Sequence, residues 1–376
     1  MSFLRRLFGK DCRPQPSVEF NFKQRVEGFW RWYEEVADRL HQTIEDHRCT
    51  DLSDEVSAAV HRFLPGMAWV FGPGEKPGER SFTLSGEGIE FKQMLALHWL
   101  KRAPRIEGWK FYAERQPAEE PGNFSFHFGD LVFGAMEFWV TPEIDEENEC
   151  VNLTVWHPLA HQLDAQHCQT ALFLFLDEIF GEVGTGRWIG TMEFSQSKLA
   201  ESMPILELKE FVEAIRAERG WKLQHPGDTW TCYKIPKEKR REELRFDTIS
   251  GATVCWKTLR NFLDEPNSFA DPFRELHAEW VYLSFPSSVL PEGKEIEMRE
   301  TIAEAIEEAL AQEHSGILLG GAIGSRCSYI DFLIFDGQRS LQLIRETGRR
   351  TELPANTRLE FLDSTKRQAG ELLFRY

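Results

Sequence analysis

One order of elements occurs twice along this chain, and a repeated order constrains a fold more tightly than composition does. A helix runs into Gly-Trp-Lys, two strands follow, then a second helix, then a glycine turn that feeds another strand. The first pass reads Gly108-Trp109-Lys110 and later Gly181-Glu182-Val183-Gly184-Thr185-Gly186-Arg187-Trp188-Ile189. The second reads Gly220-Trp221-Lys222 and later Gly321-Ala322-Ile323-Gly324-Ser325-Arg326, before Tyr329-Ile330. Read as an internal duplication, the pattern predicts an α+β chain of two related sheet-plus-helix domains with an N-terminal helical and hairpin extension. The expected boundaries are a flexible leader over 1–17, an N-terminal domain over 18–205 and a C-terminal domain over 206–376. The second copy is the longer, and its surplus falls between Pro236 and Pro272, where Lys, Arg, Asp, Glu and Pro concentrate.

Periodicity fills in the elements. Val26, Phe29, Trp30, Tyr33, Val36 and Leu40 recur at three and four, one stripe of a long amphipathic helix from 22 to about 44. A second helix is expected over 53–63, stopped by Pro65, and then a hairpin of 67–71 with 80–84 around a Pro/Gly loop. The first copy predicts a helix over 89–100, strands over 109–115, 130–140 and 150–156, a helix from Pro158 to Gly181, and a strand over 187–194. The second predicts helices over 206–219, 295–312 and 340–349, and strands over 278–285, 329–335, 358–362 and 371–374. The glycines of 320–324 are expected as a tight left-handed turn between helix and strand.

Bulk properties exclude several classes. Among 376 residues, 41% are hydrophobic and 29 are Phe, so the chain buries sizeable cores and is not disordered as a whole. A net charge of −17 repels phosphate backbones and anionic lipid. The one basic run, Lys237-Glu238-Lys239-Arg240-Arg241, is followed at once by Glu242 and Glu243 and reads as a solvated loop, so no nucleic-acid partner is expected. Seven scattered cysteines without Cys-x-x-Cys suggest a reducing, cytoplasmic setting. Arg5 and Arg6 break the only apolar leader, so no signal peptide is expected, and no apolar run is long enough for a membrane span.

Few constellations carry chemistry. His157, His161 and His167, followed by Cys168, form the densest set of soft ligands, but the Glu of a His-Glu-x-x-His site is absent. No metal or cofactor is therefore expected; if one were held, these histidines are the candidates. The 319–325 glycines follow a helix and open a strand, the reverse of a dinucleotide fingerprint. Arg187 beside Trp188, and Arg326 with Tyr329 and Asp331, are the candidate binding residues, because paired arginines recognise carboxylates or phosphates; the alternative is an edge-strand solubility device. Glu193 and Asp336 lack a partner histidine, and no nucleophile-elbow motif is present.

Phe29-Trp30-Arg31-Trp32, Ala103-Pro104 with Gly108-Trp109-Lys110-Phe111, and Leu176-Asp177 with Phe180-Gly181-Glu182 and Trp188-Ile189-Gly190 resemble a family of uncharacterised bacterial cytosolic proteins over roughly the first 200 residues. The second half is similar to small α+β regulatory domains that bind other proteins. The resemblance implies a class and brings no catalytic residue with it. The expectation is a non-enzymatic cytosolic binding or regulatory protein, an acidic inhibitor or immunity-type partner of another, basic protein, with exposed members of Trp188, Tyr329 and Trp280 as anchors. The rival is a hydrolase with a carboxylate and histidine site between the domains.

Overall fold

The computed structural model describes residues 20–128, 131–162, 164–265, 268–290, 293–351 and 353–373; the expected leader over 1–17 lies outside them. Two helices open the described chain, α1 (Phe22–Glu45) and α2 (Ser53–Phe63). Asn21 starts α1 through a reciprocal cap: its side chain accepts from the Gln24 N–H at 2.9 Å and the Gln24 side chain accepts from the Asn21 N–H. Val26, Phe29, Trp30, Tyr33 and Leu40 of the expected stripe are buried, together with Phe22; Val36 is only half-buried, and Ala37 beside it takes the inward position.

The chain divides into two compact units, one of 68–101 with 107–225, the other of the segment ending at Met67, 102–106 and 226–376. This division differs from a sequential boundary at residue 205. The helix expected to open the second domain belongs to the first unit, and α1 and α2 belong with the C-terminal sheet.

In the 68–225 unit, β1 (Ala68–Pro73) pairs antiparallel with β2 (Arg80–Ser85), which pairs parallel with β3 (Trp109–Tyr112). Parallel neighbours need a crossover, and the helix α3 (Glu90–Leu100) supplies it. A hairpin of β4 (Ser125–Phe128) and β5 (Leu131–Gly134) follows. A four-stranded sheet then combines β6 (Trp139–Asp145) and β7 (Cys150–Trp156) with two later strands. The crossover from β7 is α4 (Ala165–Phe180) and α5 (Glu182–Trp188), which lead to β8 (Ile189–Phe194), parallel to β7; β9 (Met203–Pro204) and α6 (Leu208–Arg219) complete the unit, in the order β8-β7-β6-β9. Val151, Leu153 and Val155 of β7 pack with Leu172, Phe175 and Leu176 of α4, and Trp188, Val212 and Trp221 join the same core.

The other unit is built on seven antiparallel strands in the order β10-β11-β13-β14-β12-β15-β16. They are β10 (Thr231–Lys234), β11 (Thr248–Thr253), β12 (Glu279–Pro286), β13 (Gly316–Gly324), β14 (Cys327–Ile334), β15 (Arg358–Phe361) and β16 (Glu371–Leu372). Its later helices are α7 (Trp256–Asp264), α8 (Glu295–Gln312) and α9 (Gln338–Arg350). Val281, Leu283, Phe285, Ile330, Phe332 and Ile334 pack against Ile302, Ile306 and Leu310 of α8 and Leu341 and Ile344 of α9.

The α+β class stands, but the duplication does not. Trp109 opens a strand, whereas Trp221 follows α6 outside any strand; Gly181 ends a helix, whereas Gly321 lies within β13. Gly108, Gly181 and Gly220 have positive φ, 78°, 73° and 71°, whereas Gly320, Gly321 and Gly324 do not. Gly320 is small for a different reason: a Cβ there would sit 2.4 Å from the Ala252 carbonyl oxygen on the neighbouring strand. The 319–325 glycines are thus a strand, and the surplus 236–272 contains β11 and α7. Residues 182–188, expected to enter a strand at 187, form a helical turn, and α4 starts at Asp164, whose side chain caps the His167 N–H, and not at Pro158. No helix among the described residues is long and apolar enough to cross a membrane.

Candidate functional site

Strand alternation sends one set of sheet residues toward α8 and α9 and the other set to the opposite face. On that second face lie Trp280 and Ser284 of β12 and Tyr329 and Asp331 of β14, all essentially without solvent exposure. A carboxylate in such a place demands a partner. It comes from the connection between β10 and β11, where Arg245, itself wholly buried, turns its guanidinium onto the sheet. Arg245 Nη2 donates to Asp331 Oδ2 at 2.7 Å and to the Tyr233 hydroxyl at 3.2 Å, and Nη1 donates to Thr248 Oγ1 at 3.4 Å. The guanidinium lies 5.0 Å from the Tyr329 ring centroid, and Trp280 Nε1 donates to Asp331 Oδ1 at 3.2 Å. Arg245 achieves this with φ 74°, a left-handed backbone unusual for a long side chain.

Two residues on, Asp247 organises the turn between β13 and β14. Its Oδ2 accepts from the Arg326 N–H at 2.7 Å and the Cys327 N–H at 3.1 Å, while Oδ1 accepts from the Tyr329 hydroxyl. The Tyr329 hydroxyl oxygen in turn accepts from the Arg245 N–H at 2.8 Å. Gly324 makes room for this: a Cβ there would stand 2.5 Å from either Asp247 oxygen. Between the 242–247 segment and this turn is a cavity of about 290 Å³ lined by Glu242, Glu243, Leu244, Asp247, Arg326, Cys327 and Tyr329.

Burial shifts the titratable groups around the cavity. Burial, reinforced by Asp247, pushes the Cys327 thiol up, away from the nucleophilic thiolate. Burial and the bond to Asp247 push the Tyr329 phenol up, and burial does the same to Tyr233. Burial also drives the Asp331 carboxyl upward, opposed by the Arg245 guanidinium. Since an arginine keeps its proton, the two form a charged pair.

Three of the five expected binding residues therefore meet here: Arg326 at the hairpin tip, with its side chain 64% exposed, and Tyr329 and Asp331 beneath it. Arg187 and Trp188 belong to the other unit and serve its packing. Arg187 pairs with the Glu149 carboxylate and donates to the Glu149 carbonyl at 2.8 Å, and the guanidinium groups of Arg187 and Arg216 lie 4.7 and 4.2 Å from the buried Trp188 ring. Trp188, Tyr329 and Trp280 are 2%, 0% and 0% exposed, so none of them is a surface anchor.

The histidines do not converge. His157 is buried against Phe133, with ring centroids 4.5 Å apart, and its Nδ1 accepts from the Leu159 N–H at 3.1 Å, which leaves the proton on Nε2. Burial pushes it down to about 4. His161 is exposed, and the His167 ring meets Asp164 at 2.7 Å. Among the described residues no group of three His, Cys, Asp or Glu side chains is disposed to hold a metal.

A polar cluster that the sequence did not announce lies in the 68–225 unit. Glu182, buried at the α4–α5 junction, accepts from the Ser85 hydroxyl at 2.7 Å, the Gly88 N–H at 2.9 Å, Gln93 Nε2 at 2.9 Å and the Arg115 N–H at 3.3 Å. Nearby Asp177, in the last turn of α4, is pushed up to about 6 by burial, and burial also raises Glu114 and Glu178. Gly181 followed by an acid was the only trace of it, and that pair reads equally well as an ordinary helix stop. Comparison with known protein families, with characterised proteins and with solved structures finds no match to this chain.

Proposed function

We propose that this chain is a non-enzymatic binding or regulatory protein whose partner is a basic protein, met at the rim of the 242–247 segment and the 324–327 turn. The observation that carries this reading is the state of the groups around the cavity. The thiol and phenol are held in their protonated, unreactive forms, the carboxylate oxygens of Asp247 and Asp331 are already given donors, and the accessible rim is charged: Glu242, Glu243 and Arg326. A net charge of −17 adds a field that draws cationic surfaces toward the rim. The cytosolic setting and an inhibitor or immunity-type role belong to this same proposal.

A hydrolase reading draws on one observation, the Asp177 carboxyl near 6 beside Glu178 and Glu182, since a carboxyl poised there is fit for proton transfer. Glu182, however, has its carboxylate filled by four protein donors, which suits a structural tie better than a reacting group.

The test is kinetic. A basic partner isolated with the intact chain should associate faster at low salt than at high salt, and reversing both Glu242 and Glu243 to Lys should slow association without changing the unfolding temperature. An acidic partner, or an association rate indifferent to salt and to those reversals, overturns the reading.

A further inference from the structure

The connection from β10 to β11 behaves as a strap with one inserted side chain. Residues 236–243 are exposed apart from the half-buried Arg240, and the bonds within this segment are largely its own: Arg241 N–H to the Phe246 carbonyl at 2.9 Å, Phe246 N–H to the Glu243 carbonyl at 3.1 Å, and Arg240 Nε to the Ile235 carbonyl at 2.9 Å. It reaches the sheet through Arg245 and the turn after β13 through Arg326, whose Nη1 donates to the Glu242 carbonyl at 3.3 Å, with Phe246 resting on Phe262 of α7 at 5.2 Å.

We propose that the pocket of Asp331, Tyr233, Thr248 and the Tyr329 ring is a receptor for an arginine side chain of the basic partner, and that Arg245 fills it in the free protein as an internal ligand. This rests on the binding-protein reading and names the chemistry of the partner. Four features of the site support it. The pocket has the composition that selects a guanidinium: a carboxylate, two hydroxyl acceptors and an aromatic face. The resident arginine fits imperfectly, because its Nε has no hydrogen-bond partner among the described residues and its backbone is held left-handed at φ 74°. The strap is not packed tight against the neighbouring turn; the cavity of about 290 Å³ lies between them. The mouth of that cavity carries two exposed acids, Glu242 and Glu243, against one base, Arg326, which lies 3.8 Å from Glu242, so its excess charge attracts a cation.

The exchange conserves charge. Withdrawing Arg245 alone would leave Asp331 buried and unpaired, which is strongly unfavourable, so the strap stays shut without a partner. An incoming guanidinium replaces the departing one, and the left-handed residue is released as the strap lifts. Lysine would not serve equally, since a single ammonium cannot reach the carboxylate, the hydroxyls and the ring face together.

Hydrogen–deuterium exchange on the intact chain tests this with N-acetyl-arginine amide as the probe and N-acetyl-lysine amide as the comparison. The expected result is a saturable rise in exchange over 236–246 with the arginine probe and a much smaller one with lysine. Removing the internal competitor in Arg245→Gly should tighten probe binding by about tenfold or more. Unchanged strap exchange in the wild-type chain up to about 10 mM probe overturns the proposal, whether or not the glycine variant folds. A folded Arg245→Gly that binds the probe no better than wild type overturns it equally. If a basic partner still associates in a salt-dependent way while the strap stays protected, the exchange falls and the binding reading survives.

Discussion

Glu182→Ala removes a carboxylate that four donors share, from a position only 3% exposed. The Ser85 hydroxyl and Gln93 amide are buried with it, while the Gly88 and Arg115 N–H groups lie where water has partial access. A buried donor left without an acceptor costs about 1–3 kcal/mol, so the two enclosed donors set the scale and the other two add less, for a total of about 4 kcal/mol. For a unit of about 150 residues, ~1 kcal/mol moves Tm by ~2–4 °C, so the unfolding of the 68–225 unit should fall by roughly 8–16 °C. Glu182→Gln keeps the shape and one acceptor oxygen and should lose about half as much. Calorimetry gives the size, and hydrogen exchange gives the place: protection should drop at 85–93 and 113–118 and stay unchanged in β12 and β14. An alanine variant that melts within about 2 °C of the parent would show that the four bonds tie nothing together.

The pH response of the same unit has two opposing parts. Asp177 has a folded pKa near 6, above its ordinary value of 3.8, so its ionisation opposes folding above about pH 6 and the cost fades as pH falls toward 4; Asp177→Asn should raise Tm at pH 8 by the equivalent of up to ~3 kcal/mol and change it little at pH 4. His157 runs the other way: held near 4 against an ordinary 6.5, it contributes stability above about pH 6.5 that is lost as pH falls to 4, and its ring resonances should titrate with a midpoint near 4; a midpoint near 6.5 would place the ring in water. Glycines separate by surroundings. Gly320→Ala drives a Cβ to 2.4 Å from the Ala252 carbonyl and should cost about 1–3 kcal/mol by denaturant unfolding, whereas Gly186→Ala in α5, with nothing within 4 Å of its Cβ, should stabilise by about 0.5–1 kcal/mol.

Elements that fold on their own periodicity were legible in the sequence. The α1 stripe, α2, the β1–β2 hairpin, α3, α6, α8 and α9 follow from apolar spacing and stop signals carried within each segment. β13 was not legible, because Gly316-Ile-Leu-Leu-Gly-Gly-Ala-Ile-Gly has the residues of a turn and becomes a strand only where Ala252 and Tyr329 on adjacent strands leave no room for side chains. The repeated Gly-Trp-Lys misled for a related reason: a short motif fixes a helix stop and an aromatic anchor, and what the anchor packs against depends on parts of the chain far away. Arg326, Tyr329 and Asp331 could be marked as candidates from type and order. Their partners could not, since Arg245 and Asp247 stand about 80 positions earlier, in a loop whose charges read as solvated, and are brought to the sheet only by its strand order. Local physics writes periodicity and stops into adjacent residues; burial of a charge is a property of the assembled sheet, which decides that Arg245 goes inward while Arg241, Glu242 and Glu243 stay in water.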